Sequence, residues 1–320
     1  MKKSLILISL LILTTSQSAS ASYKQAVLAF EQNDIATALP LFKKTKDQIQ
    51  SKIYLAKIFA DKDLDDAEDW IDDAVKQDDN NAEAHYVRGI VMGRQASDSF
   101  LSALSYAKKS KKSFNRAAML EPSSVKYQMG VLQFNVSAPS IAGGDIEEAI
   151  KVAEIIAKLD VKAGFEAHIE VAKAQEDLEQ ARQILAKAKA QYPTLPDFFY
   201  VEGMMEQQQE NYAAAIPLLT AASQMDAPDE DSINAKYGAM YQIGRTSVLA
   251  GIEAEKGIGA LQKFIEEAPA SKELPSKDWA EFRLANIYEC EGEKAKAMTI
   301  YKKLLKSEEK DLVKQVKKKT

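Results

Sequence analysis

The chain has 320 residues, 46% of them hydrophobic and 28% charged, which excludes a disordered polymer and leaves ample solvated surface around a core. With 42 Lys and Arg against 47 Asp and Glu, its net charge of -5 excludes a general nucleic-acid binder, whose phosphate contacts need clustered bases. Two histidines and one cysteine leave little material for a metal or nucleophilic centre.

At the start, Lys2 and Lys3 precede the apolar run Leu5 to Leu13, and a polar stretch ends at Ala19-Ser20-Ala21. This is the three-part pattern of a secretory signal, with cleavage expected after Ala21. The apolar run is far shorter than the roughly 20 residues that span a bilayer, so no transmembrane anchor is expected after cleavage. A lipoprotein needs a cysteine at its cleavage site, and Cys290 is too distant to serve. The expected location is periplasmic or secreted.

From Tyr23 onward apolar residues recur at helical spacing, without the alternating runs of a strand, so the expected class is all-α. Ala38/Phe42 and then Ala67, Ile71 and Ala74 read as second helices of successive helix pairs. Between them Asp61-Lys62-Asp63-Leu64-Asp65 begins like a calcium loop, but Asp66 stands where the sharp turn needs glycine, so a helix-start turn is the plainer reading. Phe114, Ala117 and Pro122 close a third unit, on a helix that also carries Lys108, Lys109, Lys111, Lys112 and Arg116. Without interleaved aromatics that patch is a weak nucleic-acid signal. Ala142-Gly143-Gly144-Asp145 lacks the Lys-Ser/Thr of a phosphate loop and reads as a turn with Asp145 as N-cap and Glu148 completing a capping box.

Further along, Ala149/Ala153/Ile156, Ala181/Leu185/Ala188, Ala215/Leu219/Ala222 and Gly257/Leu261/Phe264 repeat the pattern. The clearest pair is Trp279 to Ser307: Leu284, Ala285 and Tyr288, then Gly292 at the turn, then Ala297, Tyr301 and Leu304. Residues 38, 67, 110, 149, 181, 215, 257 and 297 are equivalent, with a mean step of about 37. The excess over the usual period of about 34 falls on inserted loop or lengthened helix at Gly93 to Ala107, Ser137 to Gly144, Asp226 to Ser232 and Ala268 to Lys277. Cys290 reads as a small buried hydrophobe, with an intermolecular disulfide as the alternative.

These positions resemble the tetratricopeptide repeat, in which a small residue lets two helices approach and large ones fill the groove between them. Three stretches, Ala84-His85-Tyr86-Val87-Arg88-Gly89 with Gly93, Ala138 to Asp145, and Tyr241 to Thr246, resemble one group of bacterial secreted or periplasmic members. Arg88 departs from the pattern, which prefers an apolar residue there. The resemblance implies an α-solenoid, a right-handed superhelix of about seven to eight antiparallel helix pairs. The expected organisation is a signal at 1–21, the solenoid at 22–306, and a capping helix with basic tail at 307–320.

In this family the first helix of each pair lines the concave face. The resemblance therefore points Tyr86, Tyr127, Tyr200, Gln242 and Phe282 into the groove, with Met204, Asn286, Trp279 and Phe134 beside them. Such rings suit a peptide or amphipathic helix, and packing between neighbouring helices is the alternative. The expected function is an adaptor or scaffold for a protein or peptide. A structural accessory of an envelope assembly or export machine, docking through the convex face or the charged ends, is the second reading, and charge reversal in Asp61 to Asp79 would discriminate it. Neither catalytic nor metal residues are expected, and no cofactor, small-molecule substrate or nucleic acid.

Overall fold

The computed structural model describes residues 21–320, so apart from Ala21 the signal expected at 1–21 lies outside the described residues. Every regular element among them is helical. A first unit, ending at Ile184, contains α1 (21–31), α2 (Ile35–Lys44), α3 (Ile49–Phe59), α4 (Leu64–Gln77), α5 (Ala82–Asp98), α6 (Ala103–Leu120), α7 (Val125–Ser137), α8 (Ile146–Leu159) and α9 (Val161–Ala174). α10 (Leu178–Gln191) runs across the boundary. The second unit continues with α11 (Pro196–Gln208), α12 (Tyr212–Gln224), α13 (Glu230–Ala250), α14 (Ala254–Glu267), α15 (Lys277–Cys290), α16 (Lys294–Leu304) and α17 (Lys310–Val316).

Local chemistry sets the helix ends. Asp34, Asp63, Asn81, Asp145, Asp160, Asp229 and Ser276 each accept a backbone N–H of the helix that follows, satisfying donors the first turn leaves open. Asp145 accepts from both Glu147 and Glu148, while its own N–H donates to the Asn135 carbonyl. Within a pair, several turns pass through one left-handed residue: Asn33, Glu176, Glu210 and Gly292. Asp160 alone joins α8 to α9, ending one helix and capping the next.

Each equivalent position of the repeat is buried in a second helix: Ala38, Ala67, Ser110, Ala149, Ala181, Ala215, Gly257 and Ala297. Small residues there and opposite let the helices of a pair close on each other. A Cβ on Gly89 of α5 would lie 2.6 Å from the Phe114 ring of α6, and Ser110 of α6 donates to the Gly89 carbonyl at 2.7 Å. Successive odd-numbered helices also pack on one another, α3 to α5 to α7 to α9 in the first unit and α11 to α13 to α15 in the second. At the end of the second unit α17 lays Leu312 and Val316 over Phe282, Tyr301 and Leu304.

Of the two forms expected for the excess at Gly93 to Ala107, lengthened helix accounts for most of it: α5 continues to Asp98, α6 begins at Ala103, and only 99–102 connect them. The sequence expectations need adjusting in two places. The interval at Asp226 ends at Asp229, since α13 starts at Glu230. Cys290, the last residue of α15, is exposed instead of buried.

Candidate functional site

The aromatic residues expected on the concave face do lie on odd-numbered helices, and most of them are packed there. Tyr127, Phe134, Phe282 and Asn286 are buried, whereas Tyr86, Tyr200, Met204 and Trp279 keep an exposed edge. Tyr86 meets Phe114 and Tyr127 ring to ring, and Lys126 lies 4.7 Å above its centroid. Glu83 gathers Lys57 of α3 and both Lys126 and the Tyr127 hydroxyl of α7, tying three odd helices together. Burial pushes the Glu83 carboxyl up, but the hydrogen bonds and charges of Lys126 and Lys57 outweigh it and hold the group below its ordinary value. Burial, with the Glu83 charge next, pushes the Tyr127 phenol strongly upward.

The second unit uses its odd helices in the same way. The Gln207 side chain of α11 donates to Thr246 of α13 at 2.6 Å and accepts from Arg245 at 2.7 Å. Tyr301 donates to the buried Asn286 amide oxygen at 2.7 Å, and Arg283 lies 5.8 Å from the Trp279 ring and 5.7 Å from that of Phe282. The stripe is therefore largely internal bonding between repeats, and what it leaves accessible is scattered. Lys126 and Arg283, which sit over these rings, occupy the very faces a peptide would use.

A different surface of the first unit is open. Between the second helices α4 and α6, with α5 as floor, lies a groove of about 1270 Å³. Asp72, Val75, Lys76 and Asp79 come from α4 and the turn after it, and His85 and Arg88 from α5. The α6 wall supplies Lys108, Lys111, Lys112, Ser113, Asn115, Arg116 and Met119, and the turn Ser140 to Gly143 closes one side.

Six bases thus face two acids, and both acids are already bound. Arg88 holds Asp72 at 2.5 Å and reaches Ser113 at 3.2 Å, which explains a charge where the repeat pattern prefers an apolar side chain. Arg116 lies 3.4 Å from Asp79. His85, buried beneath, puts Nε2 3.0 Å from the Asp79 carbonyl. Lys111 donates to the Gly143 carbonyl at 2.6 Å and so fastens the turn to α6. Gly143 is left-handed at φ 99°, and a Cβ on Gly144 would sit 1.7 Å from the Ala138 carbonyl oxygen, so both glycines are required by the turn.

Lys76, Lys108 and Lys112 remain exposed, with no carboxylate or carbonyl partner among the described residues. At the rim, Ile141 and Met119 are 80% and 66% exposed. Sequence reasoning noticed the bases of α6 but not Lys76, Met119 or Ile141. The available signal was the stripe Lys108, Lys112, Asn115, Met119, spaced by three and four and opposite the buried Ala107, Ser110, Phe114 and Ala117. What the sequence could not give was the partner wall.

The acidic run beginning at Asp61 is largely engaged within the unit. Besides Asp72 and Asp79, Asp61 pairs with Arg94, Glu68 with Lys109 at 3.0 Å, and Asp73 with Lys52 at 3.5 Å. His168 lies near Glu154, in a different repeat from His85. Among the described residues no three His, Cys, Asp or Glu side chains are grouped to hold a metal, and no helix is long and apolar enough to cross a membrane.

Residues 279–308, α15 and α16 with their turn, match the family model of the tetratricopeptide repeat. No curated protein matches the chain. Among solved structures it is similar to a tetratricopeptide repeat protein from Parabacteroides merdae, at 12% identity and a TM-score of 0.50, over 85% of this chain and 99% of that one. A human IFIT1 dimer with m7Gppp-AAAA gives 15% identity and a TM-score of 0.46, over 88% and 67%. PilW, a widely conserved type IV pilus biogenesis factor, gives 18% and 0.41, over 83% and 97%. With small residues buried at each repeat, this chain has an all-α helical-repeat fold like that of tetratricopeptide proteins, and its clearest helix pair matches that repeat.

Proposed function

We propose that this protein is an exported adaptor that holds a protein or peptide partner, and that the groove of the first unit is its principal contact surface. Folds of this type generally act as interaction scaffolds rather than catalysts, because stacked helix pairs present long surfaces instead of enclosed pockets. The observation that carries the proposal is the pairing state of the groove: three uncommitted lysines beside exposed Met119 and Ile141, on walls held by their own ion pairs. Its volume exceeds the roughly 300–1,000 Å³ of small-molecule sites, which suits a polypeptide segment. The concave stripe becomes a secondary surface in this reading, since its rings are bound up between repeats.

Photo-crosslinking residues placed at Asn115 and Ile141, with Leu249 of the second unit as control, test the proposal in cells. One discrete adduct from the groove positions, absent at Leu249 and lost in K108E/K112E, supports it. Adducts of equal strength from Leu249, or none from the groove, refute it. Export is tested in the same cells: the periplasmic fraction should contain a chain beginning at Ser22, and retention of Lys2 and Lys3 in a cytoplasmic chain would contradict it.

A further inference from the structure

We infer that the segment seated in this groove is an acidic amphipathic helix of a partner protein, with carboxylates spaced four residues apart and apolar side chains on the adjoining stripe. The inference rests on the groove being the contact surface and adds the chemistry of what occupies it. Lys108 and Lys112 are four residues apart on α6, so their Cα atoms are displaced by about 6 Å along the helix axis. A helix lying along α6 repeats its own i and i+4 positions at that same interval, and two carboxylates so placed meet both lysines in register. Lys76, from the opposite wall, supplies a third uncommitted cation. Asp72 and Asp79 do not oppose this arrangement, because Arg88 and Arg116 already hold them.

Apolar recognition is built into the same surface. Met119 lies on the α6 stripe about 16 Å beyond Lys108, and Ile141 stands on the turn that Lys111 fastens to α6; both are exposed among the described residues. Exposed large side chains flanking a basic channel fit a ligand with an apolar stripe beside its acids. A single-stranded nucleic acid fits less well, since no Phe, Tyr or Trp ring lines the groove for bases to stack on and the one imidazole there, His85, is buried. A small anion fits less well too, because the free lysines are exposed and spread along two walls instead of converging.

The test uses the full mature chain and a fluorescein-labelled helical 17-residue peptide with Glu at every fourth position and Leu on the adjoining face. Fluorescence anisotropy should show binding that weakens as salt rises. K108E/K112E should lower affinity at least ~10-fold, as two reversed exposed charges imply. M119S/I141S, which leaves every charge in place, should also lower it. A matched peptide with Lys for Glu should not bind. Equal binding of the Lys peptide or of a Ser-for-Leu peptide, tighter binding of a 15-nucleotide oligo-dT, or indifference to both double variants overturns the inference. Circular dichroism confirms that each variant is folded. Should the crosslinks at Asn115 and Ile141 capture a partner whose bound segment is neutral or basic, the assigned chemistry fails while the adaptor reading stands. Absence of crosslinks defeats the reading itself.

Discussion

Replacing Gly164 by alanine tests how tightly successive helix pairs are stacked, since α8 closes one pair and α9 opens the next. Because Asp160 is the sole connector, the first turn of α9 must press on the last turn of α8, and Gly164 meets Ala157. A Cβ there would lie 2.5 Å from the Ala157 Cα and 2.6 Å from its Cβ, against 3.4–4 Å for ordinary contact. The obstacle is backbone, which cannot swing away, so the helices must part by about 1 Å. Overpacking of this kind costs about 1–3 kcal/mol. A backbone obstacle puts this site in the upper part of that range, about 2–3 kcal/mol, and alanine returns roughly 0.8–1.0 kcal/mol of helix propensity, leaving a net loss of about 1–2 kcal/mol. Gly259, inside α14, is the matched control: a methyl added there meets nothing within 4 Å, and the same substitution should stabilise by up to about 1 kcal/mol. Urea titration followed by circular dichroism at 222 nm reads both. A G164A chain as stable as the parent, or a G259A chain that loses stability, would show that backbone proximity does not govern how these pairs stack.

Other outcomes follow from single groups. Glu83→Gln should cost about 1–2 kcal/mol at pH 7, discounted for screening because 26% of the side chain stays exposed. Since the folded carboxyl lies below its ordinary 4.5, its stabilisation is present above that value and lost as pH falls through the folded one; the difference between parent and variant in thermal melts should narrow as pH falls below 4.5. Tyr301→Phe leaves the buried Asn286 oxygen without its donor and should cost about 1–3 kcal/mol, read by urea titration. Glu210→Gly relieves a left-handed non-glycine residue and should raise stability by up to about 1 kcal/mol; a loss in the same titration contradicts that reading.

Much of the fold was legible because one physical demand recurs: at residues 38, 67, 110, 149, 181, 215, 257 and 297 two backbones approach, and only small side chains fit. At Gly93 the pattern located the excess length but left loop and lengthened helix undecided, because glycine inside a helix and glycine in a turn look alike in one dimension. Tyr127 and Phe282 show a different ambiguity. A ring on the first helix of a repeat serves equally as ligand contact or as mortar, and the deciding neighbours, Glu83 and Tyr301, lie 44 and 19 positions away. Arg88 illustrates the converse: it looked like a misfit in its repeat until Asp72 and Ser113 supplied its reason.

The groove's walls are joined by charge at two heights, Glu68 with Lys109 toward one end and Asp79 with Arg116 toward the other. The spacing of α4 and α6 is thus held by two ionic rungs whose α6 ends, Lys109 and Arg116, lie about 10 Å apart along that helix. Such rungs weaken with the same screening that weakens attraction for a charged ligand. Raising salt therefore acts twice, once on the bound segment and once on the gauge of the channel that receives it, so affinity should fall more steeply than the number of ligand contacts alone dictates.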